Sequence, residues 1–281
     1  MERQPIPKSR HDFKTLKMEI KNLLYTDFIS LIREENRPPG GKKTIREFLI
    51  NSFINQRAKV LEVGCTNGFT SLEVARLLNC QVYGIDINQN SLENAKRRVN
   101  GEKVRFIQGN AYNIPFKDNY FDLVICSNAT SFMKEKDKAI KEYFRVTKPW
   151  GFVAACPMYY LEEPPKEIAT KVSKILESPI NIRTKEEWIS LFKKTDFEIY
   201  LIKDYIFDHQ RPEMIENLVK ETLNKPHIIN MPKHTKKEIA SRWKNTLSVF
   251  NDNLSYVGYS IILLRKRKEP EETELFTSKT A

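Results

Sequence analysis

Between residues 58 and 156, short apolar runs alternate with stretches of helical period, and this alternation constrains the fold more than any other feature. The runs are 58–63 (AKVLEV), 80–87, 103–108, 121–126 (FDLVIC) and 152–156. Leu72, Ala75 and Leu78 mark a helix face after the first run, Leu92, Ala95 and Val99 after the second, and Ala139, Ile140, Tyr143 and Phe144 after the fourth. Asn90, with Glu93 three residues on, predicts the N-cap of the second helix. Pro149, Trp150 and Gly151 predict a turn ahead of the fifth run. Strands joined through helices pair in parallel, with helices on both faces. The runs are apolar throughout rather than alternating, as strands buried on both sides require. Later runs at 197–205 and 256–264 bring the predicted number of strands to seven. The expected class is therefore α/β.

Helical stripes surround this pattern. Phe13, Leu16, Ile20, Leu23, Leu24 and Phe28 predict one long N-terminal helix, and Ile45, Phe48, Leu49 and Phe53 a second after the RPPGG turn. Ile168, Val172, Ile175 and Leu176 mark an extra helix after the fifth strand, and Thr184 caps the next. Two more stripes lie between the last strands, one through Ile215, Leu218, Val219 and Leu223, the other through Ile239, Trp243, Leu247 and Phe250. The expected organisation is a helical cap at 1–56, a main domain at 57–265 with helical insertions near 157–183 and 207–254, and a disordered tail at 266–281. The 281 residues carry a formal net charge of +11, of which +6 falls between residues 211 and 269. An acidic partner is one use for that excess, and a solvated surface is the other. Cys65, Cys80, Cys126 and Cys156 form no CxxC pair, which argues against a structural zinc site and a disulfide scaffold. No apolar run is long enough for a membrane span, and the first residues hold no apolar signal core, so a reducing cytoplasmic setting is expected.

The segment KVLEVGCTNGF carries the chemistry. A strand ends at Val63, Gly64 and Gly68 bracket a tight turn, and a helix follows, which is where parallel sheets bind cofactors. Asp86 closes the next strand, where a carboxylate can accept hydrogen bonds from both ribose hydroxyls. A nicotinamide dinucleotide needs GxGxxG, and here the middle position is Thr66. Glu62 sits badly beside a pyrophosphate but suits a cofactor with an ammonium and a sulfonium, such as S-adenosylmethionine (SAM). LEVGCTNGF, VYGIDIN, FIQGNAYNIPF, FDLVICSNA and EYFRVTKPWGFV, in this order and spacing, resemble the class I SAM-dependent methyltransferases, in the small-molecule branch with domains of the 11/25 type. The resemblance covers about residues 59–154. It implies a Rossmann-like seven-stranded, mostly parallel sheet with helical lid additions, SAM as cofactor, S-adenosylhomocysteine as product, and no metal. By resemblance, Glu62, Gly64, Cys65 and Gly68 line the methionine half, Asp86 holds the ribose, and Ile87 lies against the adenine. Asn110 and Ala111 lie at the adenine edge, and Ser127 and Asn128 between cofactor and substrate. The chain departs from the family at Thr66, where a third Gly is usual, and at Asn110, where Asp is frequent.

The acceptor is argued separately. SNAT at 127–130 is not the (D/N)PP(Y/F) of enzymes that methylate nucleic-acid amines, and Cys156-Pro157 reverses the Pro-Cys pair of cytosine C5 enzymes. Three helical additions at one sheet rim suggest a lid over a small acceptor, an anionic one if the basic late helices face it; their other uses are core extension or a homodimer interface. Tyr159 and Tyr160 are the first candidates for the pocket wall, Tyr25 a further one, and His209 is the candidate base. An RNA methyltransferase and a SAM-binding protein without transferase activity stay open as alternatives.

Overall fold

The computed structural model describes residues 20–177 and 183–267. In chain order, α1 (Tyr25–Leu31) and α2 (Gly41–Asn51) precede β1 (Lys59–Val63), α3 (Phe69–Leu78), β2 (Gln81–Asp86), α4 (Gln89–Arg97), β3 (Val104–Gln108) and β4 (Phe121–Ser127). After a short 3-10 turn (Ala129–Phe132) come α5 (Lys136–Val146), β5 (Thr147–Ala155), β6 (Met158–Tyr160), α6 (Lys166–Leu176) and α7 (Lys185–Lys193). β7 (Phe197–Ile206), α8 (Pro212–Leu223), α9 (Lys233–Leu254) and β8 (Val257–Lys266) complete the order.

β3, β2, β1, β4 and β5 lie side by side and parallel. β8 runs antiparallel to β5, and β7 antiparallel to β8. The sheet has eight strands where the sequence predicts seven. The extra one, β6, continues the line of β5: Ala155 pairs with Ile262 and Met158 with Tyr259 in one unbroken register, bridged by the Ser260 N–H on the Pro157 carbonyl. Pro157 lacks an N–H, so the line is interrupted there without losing its direction. Strand order reverses between β1 and β4, which opens a crevice at their carboxyl ends.

Burial on both faces is visible within single strands. In β4, Leu123 and Ile125 pack with Ile45, Phe48 and Val74 of α2 and α3. Val124 and Cys126 pack on the other face with Ile140 and Tyr143 of α5 and Trp188 and Phe192 of α7. That arrangement explains strand runs without polar alternation. All four cysteines are free and buried.

A separate apolar cluster lies outside the sheet. It joins Phe28 and Ile32 to Val219 of α8 and Ile239 and Trp243 of α9. The N-terminal and late helices thus form one layer, with α6 packed on α9. Within the described residues the predicted N-terminal helix is broken: a 3-10 turn at Ile20–Asn22 is followed by α1 only from Tyr25. The cause is Arg242 of α9, whose guanidinium takes the carbonyls of Ile20 (2.5 Å) and Leu23 (2.8 Å) and stacks over the Phe28 ring. The Ile20 carbonyl also accepts the Leu23 N–H at 3.4 Å, so the guanidinium braces the chain in its 3-10 turn. Phe13 and Leu16 lie outside the described residues.

Three further expectations are corrected. The cap of α4 is Asn88, whose side chain accepts from the Ser91 N–H at 3.1 Å, so the helix starts two residues before the predicted Asn90 cap. The Pro149–Gly151 turn is a bulge inside β5: Phe121 pairs with Thr147 but Leu123 with Phe152, and Trp150 adopts φ +63°. The predicted tail begins too early, because Lys266 is still in β8 and its ammonium bonds the carbonyls of Phe144 and Thr147. Residues 268–281 of that tail lie outside the described residues. Thr184 does cap its helix as predicted, and the cap is a capping box with Glu187.

Candidate cofactor and acceptor site

Four carboxyl strand ends build the site. After β1, the N–H groups of Gly64 and Cys65 both donate to the Ile85 carbonyl, at 2.9 and 3.0 Å, which locks the loop onto β2. Gly64 (φ +73°) and Gly68 (φ +80°) lie in the left-handed region that favours glycine. Crowding enforces the same choice. A Cβ on Gly64 would stand 2.6 Å from that of Ala129, and one on Gly68 would stand 2.6 Å from the Phe106 ring. Thr66 is also left-handed, at φ +43°, a strained state for a β-branched residue. Its N–H donates to Asp86 Oδ2 at 2.9 Å, while Asp86 Oδ1 accepts from the Asn88 N–H at 2.8 Å. Asp86 therefore ties the glycine loop to the start of α4.

Glu62 is buried, and one of its oxygens accepts from the Ser71 N–H (2.8 Å) and the Ser71 hydroxyl (2.5 Å) at the start of α3. Burial raises its carboxyl to about 7, against the opposing hydrogen bonds of Ser71 and Thr70, and the Asp86 charge adds to the rise. Cys65 turns its side chain into an apolar cluster with Leu72, Leu92 and Phe106, leaving its backbone to the loop. Burial also pushes its thiol well above the ordinary range.

Gly109 N–H donates to the Asp86 carbonyl (3.0 Å), which brings the end of β3 beside the end of β2. Ile87 is 55% exposed there, next to the buried Asp86. Asn110 is exposed with its side-chain oxygen on the Tyr112 N–H at 2.9 Å, and Ala111 is buried behind it. At the end of β4, Ser127 is held at φ +38°, and its hydroxyl is buried with no hydrogen-bond partner among the described residues. Asn128 Oδ1 accepts from the Ser131 hydroxyl (2.5 Å) and the Met158 N–H (3.2 Å), fastening the turn after β4 to β6. A buried orphan hydroxyl, two carboxylates and an exposed apolar side chain at one rim fit the carboxylate, ammonium, ribose and adenine of SAM. No group of three or more His, Cys, Asp or Glu among the described residues is placed to hold a metal.

The remaining candidates separate. Tyr159 and Tyr160 both line a cleft of about 470 Å³ with Leu161, Lys185, Asp204 and Ile206. The Tyr159 hydroxyl accepts from Ser260 at 3.0 Å, Ser260 is within 2.6 Å of Asp204, and Asp204 is ion-paired with Lys185. The Tyr160 hydroxyl donates to Asn253 at 3.0 Å. Tyr25 does not join them: its ring meets Phe250 edge-on at 5.9 Å within the helical layer. His209 is exposed, and its Nδ1 lies 3.1 Å from the Asn251 amide rather than beside a carboxylate.

Sequence reasoning missed the bonds that dock the helical layer on the loops. The Asn88 amide donates to Asp27 at 2.9 Å, that of Asn94 to the Ser30 carbonyl at 2.9 Å, and that of Asn67 to the Glu34 carbonyl at 2.6 Å. Lys225 gives its ammonium to the carbonyls of Ile32 and Arg33, and His227 contacts that of Leu31 at 3.1 Å. Only the polar residues on α1 and α4, out of place on buried faces, signal these contacts in the sequence.

Known proteins resemble this chain in sequence and in fold. A family model described as a methyltransferase domain matches residues 61–155. An uncharacterized protein of Haemophilus influenzae is 31% identical over 177 residues, covering 61% of this chain and 70% of that relative. A sterol 24-C-methyltransferase of Aspergillus fumigatus is 29% identical over 171 residues, and the match covers 58% of this chain but only 45% of the fungal enzyme. Among solved structures, phosphoethanolamine N-methyltransferase 2 of Haemonchus contortus, in complex with phosphomonomethylethanolamine and S-adenosylhomocysteine, aligns with a TM-score of 0.67 at 19% identity, over 92% of this chain and 61% of that one. At that identity the likeness is one of fold. The chain belongs to the class I SAM-dependent methyltransferases and is, as a member, a transferase enzyme.

Proposed function

We propose that this enzyme transfers a methyl group from SAM to a small-molecule acceptor held in the cleft beside β6. The observation that carries the reading is the helical layer of α1, α8 and α9, hydrogen-bonded by Asp27, Ser30 and Glu34 to the loops that begin α3 and α4. A layer docked there excludes water and limits the size of what reaches the rim. SAM supplies a methyl carbon already activated by its sulfonium. The chain's task is then orientation, plus removal of a proton where the attacking atom carries one. Asp86 binds the ribose and Ile87 covers the adenine, while the Ser127 hydroxyl donates to the methionine carboxylate. Asn128 keeps β6 at the rim, so Tyr159 and Tyr160 wall the acceptor. We retain His209 as proton acceptor with a small share in the rate, because it is exposed.

The placement of charge supports a small acceptor over RNA. Several basic residues of the late segment have internal partners: Lys225 and Arg242 on backbone carbonyls, Lys244 on Glu216, and Arg265 and Arg267 on Glu198. Such residues are not free to neutralise phosphates. No helix among the described residues is long and apolar enough to cross a membrane, and free buried cysteines suit a reducing cytoplasm. Calorimetry with SAM, followed by methyl labelling of a cell extract, tests the reading. The expected result is micromolar cofactor binding and a labelled small product. Absence of SAM binding overturns it, and salt-sensitive RNA binding favours the macromolecular acceptor.

A further inference from the structure

Two cations near the rim lack a counter-ion among the described residues. Lys136 is the first residue of α5 and only 5% exposed. Its ammonium makes one hydrogen bond, 2.5 Å to the Met133 carbonyl, and so leaves two of three donors without a partner among the described residues. Arg183 is half-buried, and its Nε is fully buried without a hydrogen-bond partner. Neither side chain has an ion-pair partner among the described residues. The Arg183 charge instead reaches Lys136: burial first, then Arg183, pulls the Lys136 ammonium below its ordinary range.

This arrangement is unfavourable on three counts. A buried charge needs pairing. Like charges repel. The first turn of a helix disfavours a cation. An anion between the two side chains removes all three penalties, and a guanidinium fork with an ammonium suits an oxyanion.

The position ties this pair to the reaction. The turn after β4 runs from Ala129, packed against Gly64, to Met133, which holds Lys136. The Arg183 carbonyl accepts the Tyr160 N–H at 3.0 Å, and Tyr160 lines the cleft two residues after Met158, which is bonded to Asn128. Lys136 therefore follows the turn that Asn128 opens, and the Arg183 backbone is bonded to the strand that Asn128 holds. We infer that Lys136 and Arg183 form a subsite for an anionic oxygen group, a carboxylate or phosphate, carried by the methyl acceptor. This rests on the small-acceptor reading above.

The test uses the full chain with S-adenosylhomocysteine and compares melting in inorganic phosphate, acetate and chloride at matched ionic strength. Phosphate or acetate is expected to raise the wild-type Tm by about 3 °C over chloride, and whichever does so identifies the oxyanion. Lys136→Met and Arg183→Met are expected to abolish that rise. Their melting in chloride should be unchanged or higher, because an unpaired charge has been removed. With the labelled product in hand, Lys136→Met should raise the acceptor KM at least tenfold and leave SAM affinity unchanged. Equal melting in all three salts overturns the subsite, as does a rise that survives in both variants. If Lys136→Met does not fold, Arg183→Met and the wild-type comparison decide alone. Failure of SAM to bind would sink the methyl-transfer reading while the salt comparison stays readable.

Discussion

The cofactor loops and the helical layer above them are held by different chemistry. Residues 62–68 and 86–88 are fixed by backbone conformation and bonds spanning about twenty residues, with Asp86 joining Thr66 to Asn88. The layer is fixed by side chains reaching carbonyls about two hundred residues away: Lys225 to Ile32 and Arg33, Arg242 to Ile20 and Leu23. The first kind of support tolerates almost no substitution. The second is a set of parallel contacts, any one of which can be lost by degrees.

That contrast orders the expected effects. Asp86→Ala removes the proposed ribose ligand and the tie between two loops. Charge-assisted hydrogen bonds are worth about 1.5–3 kcal/mol each, so SAM affinity should fall roughly a hundredfold or more by calorimetry. A loss of only a few-fold would mean that the loop, not the carboxylate, carries the binding. Gly64→Ala should come next. It forces a left-handed alanine, costing about 1–2 kcal/mol, and a clash with Ala129. Gly41→Ala is the matched control, with φ +60° and nothing within 4 Å of the added carbon. The two melting points separate backbone strain from crowding, and equal losses would refute the close approach of Gly64 to Ala129.

Lys225→Met tests the layer. It strips the ammonium from two carbonyls at the end of α1. Faster amide exchange is expected over residues 25–34, with the exchange of β1 and β4 unchanged and a several-fold rise in acceptor KM. If exchange accelerates equally in the sheet, the layer and sheet are one cooperative unit and the contrast above fails.

Glu62 adds a pH dependence to the loops. Its carboxyl in the folded chain lies at about 7, above the usual carboxylate range. A raised value means the folded state holds the proton more tightly. The associated stability is therefore full at acid pH and lost as pH rises from the usual carboxylate range through about 7. On the proposed reading Glu62 would face the SAM ammonium, which favours the carboxylate, and binding would release this proton. Affinity is expected to rise about tenfold between pH 6 and pH 8, and Glu62→Gln should flatten the profile. Proton release in calorimetry, measured in buffers of different ionisation heat, checks the sign.

The same contrast governs what could be read in the sequence. The strands, the left-handed glycines and Asp86 declare themselves through period and spacing, because the interactions that fix them are local. Asn88 is hidden as a cap because Asn90, and not Asn88, has an acid three residues on, and only the structure shows Asn88 bonded to Ser91. β6 was missed because three residues after a proline have no period of their own; they are a strand only because β8 lies beside them. The broken N-terminal helix was illegible because the apolar stripe runs straight through Leu23, and the guanidinium that interrupts it comes from residue 242. Lys136 reads as an ordinary helix lysine until its burial is known.

The smallest expected effect concerns His209. Its ring is exposed and held through Nδ1 by Asn251, on the connection between β7 and α8. A base that provides most of the rate enhancement contributes about 10²–10⁴-fold and must sit within hydrogen-bond reach of the proton it removes. An exposed ring shares its task with water, so His209→Ala should lower kcat less than tenfold and leave SAM affinity unchanged. A drop of a hundredfold or more would require the connection to close over the cleft during turnover. That would place a catalytic group on the outer layer and overturn the division between a chemically rigid rim and an adjustable cover.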